Sequence, residues 1–467
     1  MNFGFCGPTY RRGAQQERCI NFFPEFVETG NPKSKIELRS TPGLSVFTTL
    51  PASPVRALWP GDARLFAVAG TGYYEVLNTG VAELRGVVAS DNYPAQILSN
   101  GDQLLVLSGG KVYCDNGGAA SGANAAYQHD ATWATYIDGY YVTLKPNSNQ
   151  FYISELRNGL AWDELDFATK EGAPDRLVAL VASHGHLWLF GKRTTEVWYH
   201  SGAASFPFER VPGGNIEQGA AALYAIADVD ESLFFAVEDD RGGIRVCRTQ
   251  GLRIERVSTH AIEQALSSFP STGLLGYGYE MEGHKFYVLS AFGGDFTWVY
   301  DCATRMWHEW LYWDGAQFTA HLGRCHAYTT DGYLLGARHF LGARNSGKIY
   351  ELSPNVFTDD GAAIRRYRQA PVIAEENRPV FHHSLELDVV SSGVTAANTT
   401  LAWSNGDLAT WTAEKSPRPV AVGTGKLRRV MWPRLGYARE RIYRVTMHNV
   451  AAHISITNAY LRASLGS

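Results

Sequence analysis

The chain has 467 residues, of which 45% are hydrophobic and 19% charged, a composition typical of a folded globular protein rather than a disordered chain. Its formal net charge of −4 argues against a protein that grips nucleic acid through a basic face. The first residues lack the basic and apolar regions of a secretory signal, and no apolar run approaches the roughly 20 residues that span a bilayer. We expect a protein without membrane insertion.

The first fifty residues differ from the rest of the chain because they lack its strand pattern and hold several Pro and Gly residues. We predict an extended N-terminal arm over residues 1–50, a β-propeller over 51–360 and an antiparallel β-sandwich over 361–467. We expect the arm and the sandwich to make assembly contacts. Deleting residues 1–45 is then expected to leave a folded monomer that no longer assembles.

The middle of the chain repeats one unit: a turn residue, a short apolar strand, a second turn and a strand with an aromatic residue. One such hairpin cannot bury both of its faces by itself. A period of about 40–50 residues is typical of a four-stranded propeller blade, and ordinary hairpins in sandwiches would not hold it over about 300 residues. We therefore predict an all-β protein with a propeller of six or seven blades, in which the recurring hairpin is the inner pair of strands. The turn residues are Gly61, Gly101, Gly139, Gly185, Glu231, Gly283 and Gly332.

Few segments have a helical pattern. Residues 258–266 combine a capping Ser or Thr with Glu263 at the right offset, which predicts one short helix. Residues 217–226 fit either a second helix or an apolar strand. After Pro354 the repeat stops, and from Phe381 onward the strands alternate apolar and polar residues, which is typical of a sheet with one buried and one wet face.

Two stretches are similar to functional loops but lack their key features. Residues 342–349 nearly fit a phosphate-binding loop, yet Ile349 stands where the motif needs Ser or Thr, and a strand follows where it needs a helix. Residues 404–411 are similar to the Asp-box turn of sialidase-type propellers, but Gly406 precedes Asp407 where the box has the reverse order. We predict a hairpin turn at the first stretch and a structural turn before a packed Trp at the second.

Candidate metal ligands are scattered. Structural zinc usually takes four ligands in closely spaced pairs, and this chain offers no such pairing. His382 and His383 should point to opposite faces of a strand and are expected at the surface rather than on a metal. The residues considered for zinc are Cys302, His308, His321, Cys325 and His326, and the six cysteines, expected to be free thiols of a reducing compartment, are Cys6, Cys19, Cys114, Cys247, Cys302 and Cys325.

Candidate catalytic groups are equally isolated. A glycosidase needs two carboxylates across a cleft, but nothing pairs Asp163, Glu164 and Asp166, which fit a solvated loop. No G-x-S-x-G motif supports a catalytic serine. The basic stretches 365–368 and 426–429 could touch phosphate, although an alternating charged strand face or a contact with a partner protein fits them better. We predict no catalytic, cofactor-binding or metal-binding residue, no cofactor and no enzyme activity.

Two motifs near the N-terminus are not those of a generic propeller: CINFFPE at 19–25 and LRSTPGL at 38–44. The pair resembles the opening of the tail accessory proteins of short-tailed bacteriophages, also called packaged-DNA stabilisation or tail nozzle proteins. Other segments are similar to that family, so the resemblance spans residues 15–460 at the level of pattern. These are FYISEL at 151–156, EVWY at 196–199 followed by SG at 201–202 and QG at 218–219, and WVYD at 298–301 through Trp307.

The resemblance implies a structural part of the virion tail. Such proteins form a ring, usually of six copies, below the adaptor (head-to-tail connector) ring, where they extend the DNA channel, retain packaged DNA and support fibres or tailspikes. The implied partners are other copies of this chain, the adaptor, a tail fibre or tailspike, a tail needle or plug, and genomic DNA that crosses the lumen during ejection without sequence specificity. Assembly would take place in the host cytoplasm.

Two alternatives stay open: a propeller that binds a receptor or glycan, and a sialidase-like carbohydrate-active enzyme. An enzyme should show Arg and carboxylate side chains that converge on the propeller axis with shifted pKa values. A receptor binder should show exposed aromatic residues along a shallow groove. A ring protein should show large, less charged lateral surfaces.

Overall fold

The computed structural model describes residues 9–11, 14–27, 36–61, 64–116, 129–330, 336–376, 378–390, 398–406, 410–420, 427–448 and 452–466. Within these ranges strands dominate, which confirms the predicted all-β class, and one short α-helix and two 3₁₀ turns are the helical elements. Contacts divide the chain into two compact units. The first unit is Met1–Ser45, Glu280–His321 and Leu352–Ser467, and the second is Val46–Tyr279 and Leu322–Glu351.

The strands of the N-terminal half, in chain order, are β1 (Thr9–Arg11), β2 (Ala14–Ile20), β3 (Phe22–Phe26), β4 (Ile36–Ser40), β5 (Gly43–Thr49), β6 (Val55–Gly61), β7 (Arg64–Ala69), β8 (Gly72–Val76), β9 (Ala82–Val87), β10 (Gln96–Ser99), β11 (Leu104–Ser108), β12 (Lys111–Asp115), β13 (Ala134–Ile137), β14 (Tyr140–Leu144), β15 (Gln150–Glu155), β16 (Asn158–Thr169), β17 (Leu177–Ser183), β18 (His186–Gly191), β19 (Thr195–His200), β20 (Phe208–Ile216), β21 (Ala227–Val229), β22 (Ser232–Glu238), β23 (Ile244–Gln250) and β24 (Arg253–Arg256).

The remaining elements are helix α1 (His260–Leu266), the 3₁₀ turns Leu223–Ala225 and Ser271–Gly273, and the strands β25 (Leu274–Met281), β26 (His284–Ala291), β27 (Thr297–Asp301), β28 (Met306–Glu309), β29 (Leu311–Trp313), β30 (Phe318–Ala320), β31 (Gly323–Thr329), β32 (Arg338–Ala343), β33 (Lys348–Ser353), β34 (Thr358–Asp359), β35 (Ala362–Ala363), β36 (Arg365–Gln369), β37 (Ile373–Ala374), β38 (Val380–Val390), β39 (Thr399–Ser404), β40 (Arg418–Val420), β41 (Leu427–Pro433), β42 (Tyr437–Ala438), β43 (Glu440–His448) and β44 (Ser455–Leu465).

Small antiparallel sheets of consecutive strands make up the second unit. Hydrophobic clusters lie between successive sheets, so each sheet buries one face against the previous sheet and one against the next. The first strands contact one another: β6 lies against β10, β10 against β13, and β13 against β17, while β31 lies against β6. The sheets are β6–β9, β10–β12, β13–β16, β17–β20 and β21–β24, and a further sheet contains β31–β33 and β5.

The predicted turn residues lie where the first strand of a sheet meets the second, and Gly332 falls outside the described residues. The recurring hairpin is therefore the second and third strands, which are the inner pair of each four-stranded sheet. These strands have a hydrogen-bonded neighbour on each side and a sheet packed on each face. All five residues of β8 and of β11 are consequently buried, which explains their continuous apolar runs.

Two larger sheets share one core in the first unit. One sheet runs β26–β27–β28–β2–β36–β43, and the other runs β3–β4–β44–β38–β41–β40. The shared core contains Phe22 and Leu38 from the N-terminal strands together with Trp432 and Tyr443 from the C-terminal ones. Residues 14–45 therefore contribute integral strands to both sheets. The predicted boundaries at residues 50 and 360 stay a prediction.

Several local predictions have clear outcomes. Residues 258–266 contain α1, and residues 217–226 contain only a 3₁₀ turn at Leu223–Ala225. The loop between β32 and β33 is the predicted hairpin turn. Residues 163–166 lie within strand β16, so the predicted loop is wrong. They form a bulge of that strand. Of the Asp-box-like stretch, residues 407–409 lie outside the described residues.

Candidate functional site

A buried arginine joins the start of the first sheet to the chain that leads into the second. Arg56 lies on β6 with a fully buried side chain. Its guanidinium is engaged on all three nitrogens, which satisfies a buried charge by hydrogen bonds in several directions. The acceptors are the carbonyl oxygens of Gly70, Ala89 and Tyr93, the Ser108 hydroxyl and the Asp91 carboxylate, at 2.7–3.1 Å.

The segment held by Arg56 reaches distant sheets of the same unit. The carbonyl oxygen of Asn92 accepts a hydrogen bond of 2.6 Å from Arg324, on β31. The ring of Tyr93 stacks on that of Tyr224, just before β21, with centroids 5.6 Å apart. Trp133, just before β13, meets Tyr224 edge-on with centroids 5.9 Å apart. Residues 91–93 thus meet the starting ends of strands from separate sheets, and we call Arg56, residues 91–93, Tyr224 and Arg324 the axial cluster.

The groups of the axial cluster join chain segments and have the properties of structural rather than catalytic residues. Burial lowers the pKa of Arg324 to about 10. Burial, with the nearby Asp91 charge, raises the pKa of Tyr224 to about 12. A tyrosine nucleophile would need the opposite shift, because the phenolate is the reactive form. The donors of Arg56 are directed at the protein's own backbone rather than at a cleft.

An amphipathic cleft of about 360 Å³ opens in the first unit. Trp313 lies at its wall, but the guanidinium of Arg365 covers that ring at 4.2 Å. Arg365 also pairs with Glu414 at 3.1 Å, and Glu414 accepts a hydrogen bond of 3.0 Å from Thr400. Arg365 covers the indole face of Trp313, and Glu414 neutralises the charge of Arg365. The indole face is therefore not open for stacking on a sugar ring.

The basic stretch at 365–368 alternates along β36, but the structure buries two of its cations. Arg366 and Arg368 are fully buried, so the predicted charged surface is wrong for them. Arg368 pairs with Glu17 at 2.5 Å. Arg366 lies near Asp359, where burial raises the pKa of the Asp359 carboxyl to about 7 and lowers that of Arg366 to about 10. These residues are internal ties of the first unit. In the other stretch, Lys426 lies outside the described residues, and Arg429 pairs with Asp388 at 3.0 Å.

A histidine between two carboxylates ties β3 to β26 and β27. His284 contacts Asp301 through Nδ1 at 2.9 Å and Glu25 through Nε2 at 3.0 Å. Although burial lowers its pKa, the two carboxylates dominate and the pKa of His284 is raised above its usual value. The neighbouring His308 is fully buried, and burial lowers its pKa to about 4. The Thr304 hydroxyl donates to the same Asp301 carboxylate at 2.7 Å, and carboxylates occupy both ring nitrogens of His284, so the group fits a structural clamp.

The structure does not bring the residues considered for zinc together. Within the described ranges, no group of three or more His, Cys, Asp or Glu side chains could hold a metal ion. His321 stacks on Trp310 with centroids 3.7 Å apart, and His326 contacts His339 at 3.0 Å. His382 is buried, so its predicted surface position is wrong, whereas His383 is exposed on the opposite face.

The cysteines are mostly free thiols. Cys114, Cys247, Cys302 and Cys325 are free, as expected, and burial raises the pKa of Cys114 and of Cys247 to about 11. Cys19 is disulfide-bonded, which corrects the expectation for that residue. No described helix has the length and apolar character needed to cross a membrane.

A β-propeller consists of successive antiparallel sheets whose first strands meet. The comparison with known families finds the same class. The model of a family described as bacteriophage P22 Gp10, β-propeller, matches residues 15–357. The chain belongs to this family, which confirms the resemblance found at residues 19–25 and 38–44. Membership gives the chain a structural role in a phage tail.

The comparison with solved structures gives only distant similarities. No curated protein matches the chain. The extracellular domain of a putative hybrid two-component system, BT4673 from B. thetaiotaomicron, is 9% identical with a TM-score of 0.45, over 67% of this chain and 39% of that one. The N-terminal domain of Nup159 is 10% identical with a TM-score of 0.39, over 70% of this chain and 98% of that one. The match thus spans about two fifths of the first of these proteins.

Sequence reasoning missed the axial cluster and the His284 clamp. Arg56 and Tyr93 lie between repeats, where no periodic signal marks them. One signal could have been used: Arg56 and Arg324 each stand near the start of the first strand of a sheet. A charged residue inside an otherwise apolar strand usually marks a buried and fully paired group.

Proposed function

We propose that this chain forms a ring in a short phage tail, where it extends the DNA channel below the adaptor. Its membership in the P22 Gp10 family over residues 15–357 is the observation that carries the proposal. The ring holds several copies, six by the family resemblance, and retains packaged DNA until ejection. Its partners are the adaptor, a fibre or tailspike, and a needle or plug.

We infer that the second unit is a propeller of six or seven blades and that the first unit holds a sandwich. Seven turn residues recur, and the sheets β6–β9 to β21–β24 supply five blades. The strands β31–β33 supply a sixth, whereas β26–β28 belong to a sheet of the first unit. The contact of β31 with β6 supports closure of the circle, and Phe47 of β5 packs on Phe340 of β32 with centroids 4.9 Å apart. A closed circle of sheets leaves only short edges.

The axial cluster supports a DNA path between copies. Residues 91–93 bridge β6, β31 and the start of β21, close to where the first strands gather. We therefore expect packaged DNA to pass between copies rather than along the axis of one propeller. The formal charge of −4 suits this role, since a weakly acidic wall neutralises few phosphates and lets DNA slide.

The two alternatives have less support. A sialidase-like enzyme needs axial Arg and carboxylate groups that are open to substrate, whereas Arg56 is sealed by the backbone and the pKa of Tyr224 is raised. A glycan binder that used the cleft of the first unit would need an open aromatic face there, whereas Arg365 covers Trp313.

The experiment is a mass measurement of the purified chain, followed by immunogold labelling of the virions that carry it. We expect a multimer of defined copy number and labels confined to the tail. A chain that stays monomeric at every concentration and is absent from the tail would overturn the proposed function.

A further inference from the structure

The outer strand of the third sheet carries a protruding bulge. Between the paired residues Tyr152–Phe167 and Ser154–Trp162, a single residue of β15 faces residues 163–166 of β16. β16 is the last strand of its sheet, and Leu165 at the bulge is 81% exposed. An open sheet edge is a feature that a second chain can cover.

Carboxylates surround this leucine. Asp163 and Glu164 are exposed, and the Asp163 side chain accepts a hydrogen bond of 2.9 Å from the Leu165 amide, which fixes the bulge. Partial burial and the charges of Asp163 and Glu155 raise the pKa of Asp166, so the negative charges lie close together. We call residues 163–166 the acidic knob.

A surface of opposite character lies on the first unit. The rings of Phe381 and Tyr437 pack with centroids 5.6 Å apart, and Tyr437 is 66% exposed. The backbone of Arg434 binds the His383 carbonyl at 2.8 Å, which holds the loop carrying Tyr437 against β38.

Arg434 lies in the loop between β41 and β42, and Tyr437 is the first residue of β42. The side chain of Lys415 donates to the Pro433 carbonyl at 2.7 Å, next to Arg434. Burial, together with the positive charges of Arg418 and Arg434, lowers the pKa of Lys415, so the three cations lie close together. We call Phe381, Lys415, Arg418, Arg434 and Tyr437 the basic aromatic patch.

We propose that the acidic knob of one copy docks on the basic aromatic patch of the next copy. The occupant is a second copy of this chain because the charges are complementary and each surface adds exposed apolar area. Two different surfaces in contact form a head-to-tail interface, the type that closes into a ring. The knob is small against the roughly 1,200–2,000 Å² of a stable interface, so it sets the register of a larger contact. This inference rests on the proposed ring function.

The test is a charge exchange in the full-length chain, read by mass photometry over a range of concentrations. Asp163→Lys with Glu164→Lys, or Arg418→Glu with Arg434→Glu, should raise the concentration for half-assembly about tenfold, because like charges then meet. The combination of all four should return it to within about threefold of the wild type. Leu165→Asp should also weaken assembly while leaving the midpoint of thermal unfolding unchanged.

The matched control reverses two other exposed carboxylates of the second unit, Asp102→Lys with Asp240→Lys, and should assemble like the wild type. Wild-type assembly by both reversed variants would overturn the docking pair and leave the ring function standing. Loss of assembly that the combination does not restore would overturn it equally. A wild-type chain that never assembles and is absent from the tail marks the failure of the ring function itself.

Discussion

The ring of Tyr93 stacks on the ring of Tyr224 with centroids 5.6 Å apart and planes inclined by 16°. Tyr93 follows the first sheet of the second unit, and Tyr224 precedes the fifth. This contact joins the segment after the first sheet to the segment before the fifth sheet. The contact belongs to the axial cluster, on which the path we propose for DNA depends.

Replacing Arg56 with Ala should lower the free energy of unfolding by about 3 kcal/mol, because it removes several charge-assisted hydrogen bonds and leaves backbone carbonyls without donors. The measurement is denaturant unfolding followed by tryptophan fluorescence. Arg64→Ala is the control, since its side chain is 45% exposed and an exposed ion pair contributes less than about 1 kcal/mol. Equal losses of unfolding free energy in the two variants would contradict the stabilising role of Arg56.

Replacing Gly219 with Ala should destabilise the second unit by about 1–3 kcal/mol, because no room exists for a methyl group. A Cβ there would lie 2.1 Å from the Gly191 carbonyl oxygen and 2.6 Å from the Arg193 nitrogen. Gly273→Ala is the matched control, since its nearest contact would be the Pro270 ring at 3.6 Å. Thermal unfolding of both variants tests the difference, and a Gly219→Ala chain as stable as Gly273→Ala would refute it.

The His284 clamp should make stability depend on pH. Because Asp301 and Glu25 raise the pKa of His284, the charged imidazole stabilises the folded chain fully below the ordinary pKa of 6.5, and this contribution is lost as pH rises through the raised value. The destabilisation caused by His284→Gln should therefore shrink between pH 6 and pH 9. Unfolding midpoints at both pH values measure it, with the exposed His260→Gln as the control. A destabilisation that grows with pH would contradict the clamp.

Removing residues 1–45 should now unfold the first unit rather than yield the folded monomer expected from the arm interpretation. The deletion takes away β2, which lies between β28 and β36, and the buried side chains of Phe22 and Leu38. Circular dichroism and limited proteolysis of the truncated chain check this. A protease-resistant fragment covering residues 361–467 would show that the N-terminal strands are dispensable.

The repeats were predictable because strands buried on both faces carry an unbroken apolar signal, as in β8 and β11. The first strands of the sheets were not, since strands such as β10 are only partly buried and carry weaker patterns. The pairing of β2 with β36 was not predictable either, because the two strands lie more than 300 residues apart in the chain and local patterns do not report such pairing. Separations of 351 and 259 residues likewise hid Glu17 as the partner of Arg368 and Glu25 as a partner of His284.

The most direct test of the account is a cryo-electron microscopy reconstruction of the tail of the virions that carry this chain. We predict a ring of copies below the head, with DNA density in the lumen between copies and protein density filling each propeller axis at residues 91–93. DNA density through the axis of a single propeller, or a tail without this chain, would contradict the account.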